Sequence, residues 1–564
     1  MAARRRGEEM IAPRVQYQTS DEVDFVIIGS GAAGGILAKE LSTNGFRVVV
    51  LEQGPYLHES DFSHDELKIL QEDLLTNHPK LQPNTFRKTP AEKAKPQRAL
   101  VYGRAVGGTS NHFTANFWRF HEIDFIERSK LGVIPGSTFS DWPITYADLE
   151  PYYTKVEWEV GVSGLAGASP FDPPRSKPYP MPPLPVKSNG VLFERAARKL
   201  GLNPFPAPMA ILSQPRAGRS ACINCGFCLG FACEVKAKSS SLASVIPVAE
   251  KTGRCEIRPN SYVHKIELDS RGRAVGAVYF DEKKNVHLQK AKAVIVSANG
   301  AETPRLLLLS ASKQFPNGLA NSSGYVGKNL MLNSGGISLG VFDEQLNDYK
   351  GFAVSRILHD FYELDPQKVG FYGGGGLDAR FDMTPINFAA GGGLPPDTPR
   401  WGKKFKDAIA HNFTRTVEIF SHGTSLPKEE NSFSLDPDLK DAWGLPALRM
   451  TYKDHPDDLK LAKWLNEYGL QILDAAGAKQ KWTYPIEEQQ FAVHLLGTCR
   501  MGSDPKTSVI NPDHRTHDVK NVFLCDGSSF VTSGRGQPTM TIEALAFRAA
   551  DRITALARRG DISA

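Results

Sequence analysis

The sequence predicts an α/β fold that begins with a strand, a glycine turn and a helix packed on a parallel sheet. Three observations carry that prediction. The run V-D-F-V-I-I (Val23–Ile28) is apolar enough to be buried on both faces, as a strand inside a parallel sheet is. Gly29, Gly31 and Gly34 follow in G-x-G-x-x-G spacing, with Ala32 among them and an apolar helical pattern (Ile36, Leu37, Leu41) directly behind. A second buried run, R-V-V-V-L, then ends in Glu52. One glycine permits a tight turn, one lets the backbone approach a pyrophosphate, and one lets helix and strand pack closely. The helix N-terminus meets phosphates with unpaired N–H groups and the positive end of its dipole. Glu52 is placed to bind a ribose hydroxyl. The set predicts dinucleotide binding, with nicotinamide and flavin cofactors both open; a glycine turn in an ordinary α/β unit is the plainer alternative.

A chain of 564 residues exceeds one simple core, so two or more domains are expected. The net charge of +5 is small for this length and argues against nucleic acid or an anionic membrane as a partner. No apolar run is long enough to span a bilayer. The N-terminus M-A-A-R-R-R-G-E-E-M-I-A-P-R has arginines but no apolar region behind them, and residues 1–20 read as a flexible, solvated tail. The expected location is the cytoplasm, or the periplasm if the protein is exported bound to a signal-bearing partner.

From Glu52 to about Gln97 the polar, Pro- and Lys-containing sequence reads as short helices and loops. Gly103, Gly107 and Gly108 then suit close backbone approach to a ligand. His112, just past them, reads on its own as a satisfied structural histidine. Residues 170–185 are Pro-rich and extended. Cys222, Cys225, Cys228 and Cys233 follow in C-x2-C-x2-C-x4-C spacing, from which thiolates can converge on one centre. An iron–sulfur cluster, unliganded or disulfide-forming cysteines, and zinc all stay open, zinc last because no second C-x2-C knuckle is visible. Cys255, Cys499 and Cys525 read as buried inert thiols.

A-V-I-V-S-A-N-G (Ala293–Gly300) is another buried strand running into a turn and a leucine-rich helix. From about Ser334, glycine-rich and alternating pieces predict an antiparallel sheet, with strand, turn and strand in Ser432–Asp458. Asp457–Ala476 reads as a helix whose apolar face (Leu461, Trp464, Leu465, Tyr468, Leu473) joins a core. His494 lies further on and, taken alone, reads as a buried, hydrogen-bonded histidine; Gln537 lies beyond it. Histidine nonetheless titrates in the range of a general base, and Gln537 can both donate and accept hydrogen bonds.

Several motifs in order resemble the glucose–methanol–choline (GMC) oxidoreductases: G-R-A-V-G-G-T-S-N-H (Gly103–His112), G-A-E-T-P-R-L-L-L-L-S (Gly300–Ser310), V-G-K-N-L-M-L-N (Val326–Asn333), H-L-L-G-T-C-R-M-G (His494–Gly502), D-G-S-S (Asp526–Ser529) and Q-P-T-M-T (Gln537–Thr541). The resemblance spans about Asp21 to Leu556. It implies a Rossmann-type FAD-binding domain (21–135, 200–335, 484–560) interleaved with an α+β substrate-binding domain (136–199, 336–483) whose antiparallel sheet roofs the flavin. It implies FAD held by Gly29, Gly31, Ala32, Gly34, Glu52, Gly103, Gly107, Gly108, Asp526, Gly527, Pro538 and Thr539, and, as in some members, a covalent bond from His112. It implies His494 as the base. Gln537 stands where the family usually has Asn and is expected to position substrate.

Flavin-dependent sugar dehydrogenase subunits of the family carry a three-cysteine iron–sulfur site spaced C-x5-C-x3-C. Cys222 and Cys228 match the first spacing, Cys233 falls one residue late, and Cys225 has no counterpart. The expected activity is oxidation of a CH–OH group of a sugar, glycoside or sugar acid by hydride transfer to flavin N5. Electrons would pass to an acceptor other than O2, a cytochrome, a quinone or another acceptor, with a small escort subunit as an expected partner. An O2-using alcohol oxidase and a non-catalytic electron-transfer subunit are the competing readings.

Overall fold

The computed structural model describes residues 14–71 and 73–562, so much of the expected N-terminal tail lies outside the described residues. The parallel pair forms as expected, Val23–Ile28 beside Val48–Leu51 with Val26 opposite Val49. Val286–Val296 lies parallel on the other side of the first strand, Val522–Leu524 adds beyond it, and Cys255–Arg258 flanks Val48–Leu51. These strands are buried throughout their centre, and helix Ala32–Thr43 packs against them. The C-terminal strand therefore returns to the first sheet and delivers Asp526 to the same carboxyl edge as Gly29. Tyr262–Leu268 and Ala274–Phe280 form an antiparallel meander on the first half of Val286–Val296. Helix Ala32–Thr43 packs against the last helix, Thr539–Arg558, which also packs on Tyr146–Val156.

The antiparallel sheet has six strands, in the order Gln480–Thr483, Ile337–Val341, Thr416–Gly423, Gly375–Arg380, Val354–Leu358 and Phe205–Pro206. Its two faces differ, as a period of two dictates. Leu377, Ala379, Val417 and Ile419 pack on Leu461, Leu465, Ile472 and Leu473 of helix Pro456–Ala476. The opposite face carries the buried Asp378, Arg380, Glu418 and His422. The helix starts one residue before its expected position, where the His455 side chain accepts from the Asp457 N–H, and stops at Gly477, φ +92°.

The expected hairpin is present as Ser432–Lys440 and Pro446–Thr451. It belongs to a third sheet, where Pro446–Thr451 pairs in parallel with Asn84–Arg87 and that strand with Lys95–Pro96. The stretch after Glu52 was expected to be helices and loops only. N-T-F-R carries no strand periodicity; it becomes a strand because the distant hairpin edge satisfies its backbone. Phe86, Phe433, Met450 and Tyr452 join Tyr102 and Leu495 in one core, so this small sheet buttresses the chain on both sides of His494.

Candidate active site

A cavity of about 440 Å³ opens at the carboxyl edge of the parallel strands. Gly29, Gly31, Ala32 and Glu52 line one end, Gly103, Gly108 and His112 a wall, and Asp526 and Gly527 another wall. His494, Gln537, Pro538 and Thr539 line it as well. Gly34 and Gly107 do not line it. A Cβ on Gly34 would lie 2.0 Å from the Gly29 carbonyl oxygen, so this glycine is a packing requirement of the turn. Gly107 turns the backbone at φ +97° and donates its N–H to Ser30 Oγ at 3.1 Å. Gly34→Ala is expected to lose bound flavin or to accumulate insolubly, read as the ratio of flavin to protein absorbance; a wild-type ratio in soluble protein would refute this.

Glu52 is buried and already accepts from the Ser30 N–H (3.1 Å), the Ser30 hydroxyl (2.7 Å) and the Gly54 N–H (3.0 Å). Burial raises its pKa despite those donors. Asp526 accepts from Ser528 N–H, Asn299 N–H and the Thr303 hydroxyl, which ties the last strand to the start of helix Asn299–Leu309. Both acids thus hold the cradle together as well as facing the cavity. Thr539 opens the last helix, so unpaired N–H groups and a positive dipole end lie at the cavity wall.

His112 caps the short turn Gly108–Asn111. Its Nδ1 is buried without a partner among the described residues, and burial, with Lys238 nearby, lowers its pKa to about 4. The satisfied structural histidine expected from residue type alone is not what the fold builds at that nitrogen. An orphaned buried nitrogen, a glycine cradle and a helix N-terminus on one cavity fit a flavin dinucleotide.

His494 follows the exposed Val493 and precedes a chain stitched on two sides: Leu496 exchanges backbone hydrogen bonds with Met331, and the Gly497 N–H donates to Gly527. Its Nδ1 lies 3.0 Å from Asn333 Oδ1. Burial lowers its pKa to about 4, so the ring is neutral at pH 7 and able to take a proton. The acid limb of kcat/KM is accordingly expected near pH 4, with no loss between pH 7 and pH 5; a limb at the ordinary histidine value would contradict this.

Gln537 sits on the loop before the last helix, and that loop is anchored from beneath. Arg535, 2% exposed, pairs through Nη1 with Asp124 and Glu127, and its Nε donates to the Tyr362 carbonyl at 2.6 Å. Trp118 and His422 flank Gly536, and among the described residues neither His422 ring nitrogen has a hydrogen-bond partner, its ion-pair neighbour Asp378 lying at 3.5 Å. Asn333, Arg535 and His422 were not singled out from the sequence. Asn333 ends a motif that was noted without a role, and nothing local marks the other two.

Cluster, free-thiol or disulfide, and zinc readings were all open for the four clustered cysteines. All are free thiols, with Cys225 exposed and Cys222, Cys228 and Cys233 half-buried. Among the described residues no group of three or more Cys, His, Asp or Glu side chains is arranged to hold a metal. Spacing limits how far apart along the chain the sulfurs lie, but positive-φ turns at Asn224, Gly226 and Gly230 decide where they point. The four thiols as placed do not fit a cluster. The loop still borders the cavity: Leu229 and Gly230 line it, and the Gly230 N–H donates to the His112 carbonyl at 2.9 Å.

Two family profiles described as GMC oxidoreductase match residues 23–334 and 427–546, more than half of the chain. The chain belongs to the GMC oxidoreductase family. Among curated relatives of this GMC protein, a 2-methyl-1,2-propanediol dehydrogenase of Mycolicibacterium austroafricanum is 34% identical, over 95% of this chain and 96% of its own. A fructose dehydrogenase large subunit of Gluconobacter japonicus is 32% identical (94% and 97%), and a gluconate 2-dehydrogenase flavoprotein of Pantoea cypripedii 29% (97% of each). A formate oxidase crystal structure superposes with a TM-score of 0.66 over 96% of this chain and 99% of its own, at 16% identity, which shows the shared fold. The GMC protein is thus an FAD-dependent oxidoreductase of CH–OH groups. Among the described residues no helix is long and apolar enough to cross a membrane.

Proposed function

We propose that this GMC enzyme oxidises a CH–OH carbon of a sugar, glycoside or sugar acid and passes the electrons to an acceptor other than O2. The observation that carries the reading is one cavity holding both a neutral, base-competent His494 and Gln537, and continuing back to the glycine turn. Gly29, Gly31, Ala32 and Glu52 would hold the ADP half of FAD, with Gly103, Gly108, Asp526, Gly527 and the Thr539 helix start around the rest. Bound there, FAD would supply the acceptor for the hydride that leaves the substrate carbon. The protein's part is the other half of the oxidation. His494 takes the hydroxyl proton, and Gln537 hydrogen-bonds the substrate oxygen and orients the C–H.

Three relatives named for a diol, a ketose and a sugar acid support a small hydroxylated substrate. The name of one of them as a large subunit supports a smaller escort partner and protein-mediated electron delivery. The unpartnered His112 nitrogen supports a covalent link to the flavin.

The test is a dye-linked screen of aldoses, ketoses, gluconate, glycosides and small diols, with peroxide measured in air. Dye reduction with a polyhydroxylated substrate and little peroxide supports the reading. Peroxide at the dye-linked rate would instead make the enzyme an oxidase. Acid precipitation that leaves the pellet yellow supports the His112 bond, and a yellow supernatant refutes it.

A further inference from the structure

Asn333 occupies the end of the segment Val326–Asn333 with a left-handed backbone, φ +60°, and is 9% exposed. Its side chain touches four different partners. Nδ2 faces the carbonyl oxygens of Gly423 (3.3 Å), Ser533 (3.2 Å) and Gly534 (3.4 Å). Carbonyl oxygens only accept, so this end of the amide must be the NH2 group. The other end, 3.0 Å from His494 Nδ1, is therefore the oxygen, which also only accepts. A hydrogen bond there requires the proton on Nδ1. A neutral imidazole carries one N–H, so Nε2 holds the lone pair, and His494 lines the cavity.

We infer that Asn333 is the positioning residue of this site: it locks His494 in the Nδ1–H tautomer, making Nε2 the proton acceptor. The same amide sets the spacing of the two catalytic arms. Gly423 ends the roof strand next to His422, while Ser533 and Gly534 belong to the loop that presents Gln537 three residues later. One side chain thus fixes the base, the roof and the substrate-positioning loop relative to one another. A residue in the left-handed region is uncommon outside glycine, with Asn enriched there, so the backbone at 333 also suits asparagine.

The inference rests on His494 being the base, and its test separates the two ideas. Titratable groups on the elements packed around His494 are His422 with Asp378 and Arg380 behind it on the roof strands, Asp526 at the end of the last strand, and Glu302 on helix Asn299–Leu309. Asn333→Asp keeps an acceptor for Nδ1–H and adds a negative charge beside the ring. It is expected to move the acid limb of kcat/KM up by about one unit or more, because a carboxylate favours the imidazolium. Asn333→Leu removes the acceptor and is expected to lower kcat by about tenfold or more through a misplaced base, with a smaller change in KM. A merely structural asparagine would cost stability in both variants and leave the acid limb in place.

The direct readout needs no turnover: histidine 15N shifts of the wild-type holoenzyme, with His494→Gln identifying the signal, should show the Nδ1–H form. An Nε2–H tautomer in the wild type, or an unmoved limb in flavin-loaded Asn333→Asp, would overturn the inference. Should Asn333→Asp fail to fold, the wild-type tautomer still decides. A wild type that oxidises no CH–OH substrate while showing the Nδ1–H form would sink the proposed function and leave the tautomer assignment standing.

Discussion

Replacing His494 with alanine is expected to lower kcat/KM by a factor of about 10²–10⁴, the usual worth of a positioned general base. Flavin content should stay at the wild-type level. Among the described residues the His494 ring hydrogen-bonds only to Asn333, whereas the cradle is held by Glu52, Asp526 and the glycine turns. The measurement pairs steady-state kinetics on the best substrate from the screen with the flavin-to-protein absorbance ratio. Activity within about threefold of wild type would remove His494 as the base, whatever the flavin content.

Arg535→Met should produce the largest stability loss outside the glycine turn. It strands two buried carboxylates, Asp124 and Glu127, each 2% exposed or less. Burial already pushes both of their pKa values up, and Arg535 is the cation that opposes the push. Removing one partner of such a cluster costs about 3–5 kcal/mol, far more than an exposed ion pair is worth. The loss should appear as a lower denaturation midpoint and, since the next two residues are Gly536 and Gln537, as a raised KM. Neutralising the stranded acids in Arg535→Met/Asp124→Asn/Glu127→Gln is expected to recover part of the stability. If the single variant and wild type denature at the same midpoint, the anchor reading is wrong.

The elements readable in advance share a physical character. Val23–Leu51 declares itself because strand, turn and helix lie within thirty residues and each obeys a local rule of periodicity or glycine geometry. Helix Pro456–Ala476 and the hairpin Ser432–Thr451 follow from spacing in the same way. Asn84–Arg87 was missed because its strand state depends on pairing with Leu448–Thr451, more than 350 residues away. The cysteine run left its readings open for a related reason. Sequence separation bounds sulfur distances, while positive-φ turns settle direction, and in this fold the thiols do not converge.

His494 and Gln537 were legible through the motifs around them, yet their working state was not. The depressed pKa of His494 comes from burial, and its tautomer from an asparagine 161 positions earlier in the chain. Gln537 is aimed by Arg535, whose partners lie 411 and 408 residues away. By itself the sequence determined the dinucleotide turn, the family and two candidate residues that line the cavity, because those rest on short-range patterns. Only the tertiary structure decided which nitrogen accepts the proton, what holds the catalytic loop and whether the thiols meet. Those properties depend on contacts between remote segments and on the dielectric those segments create by excluding water.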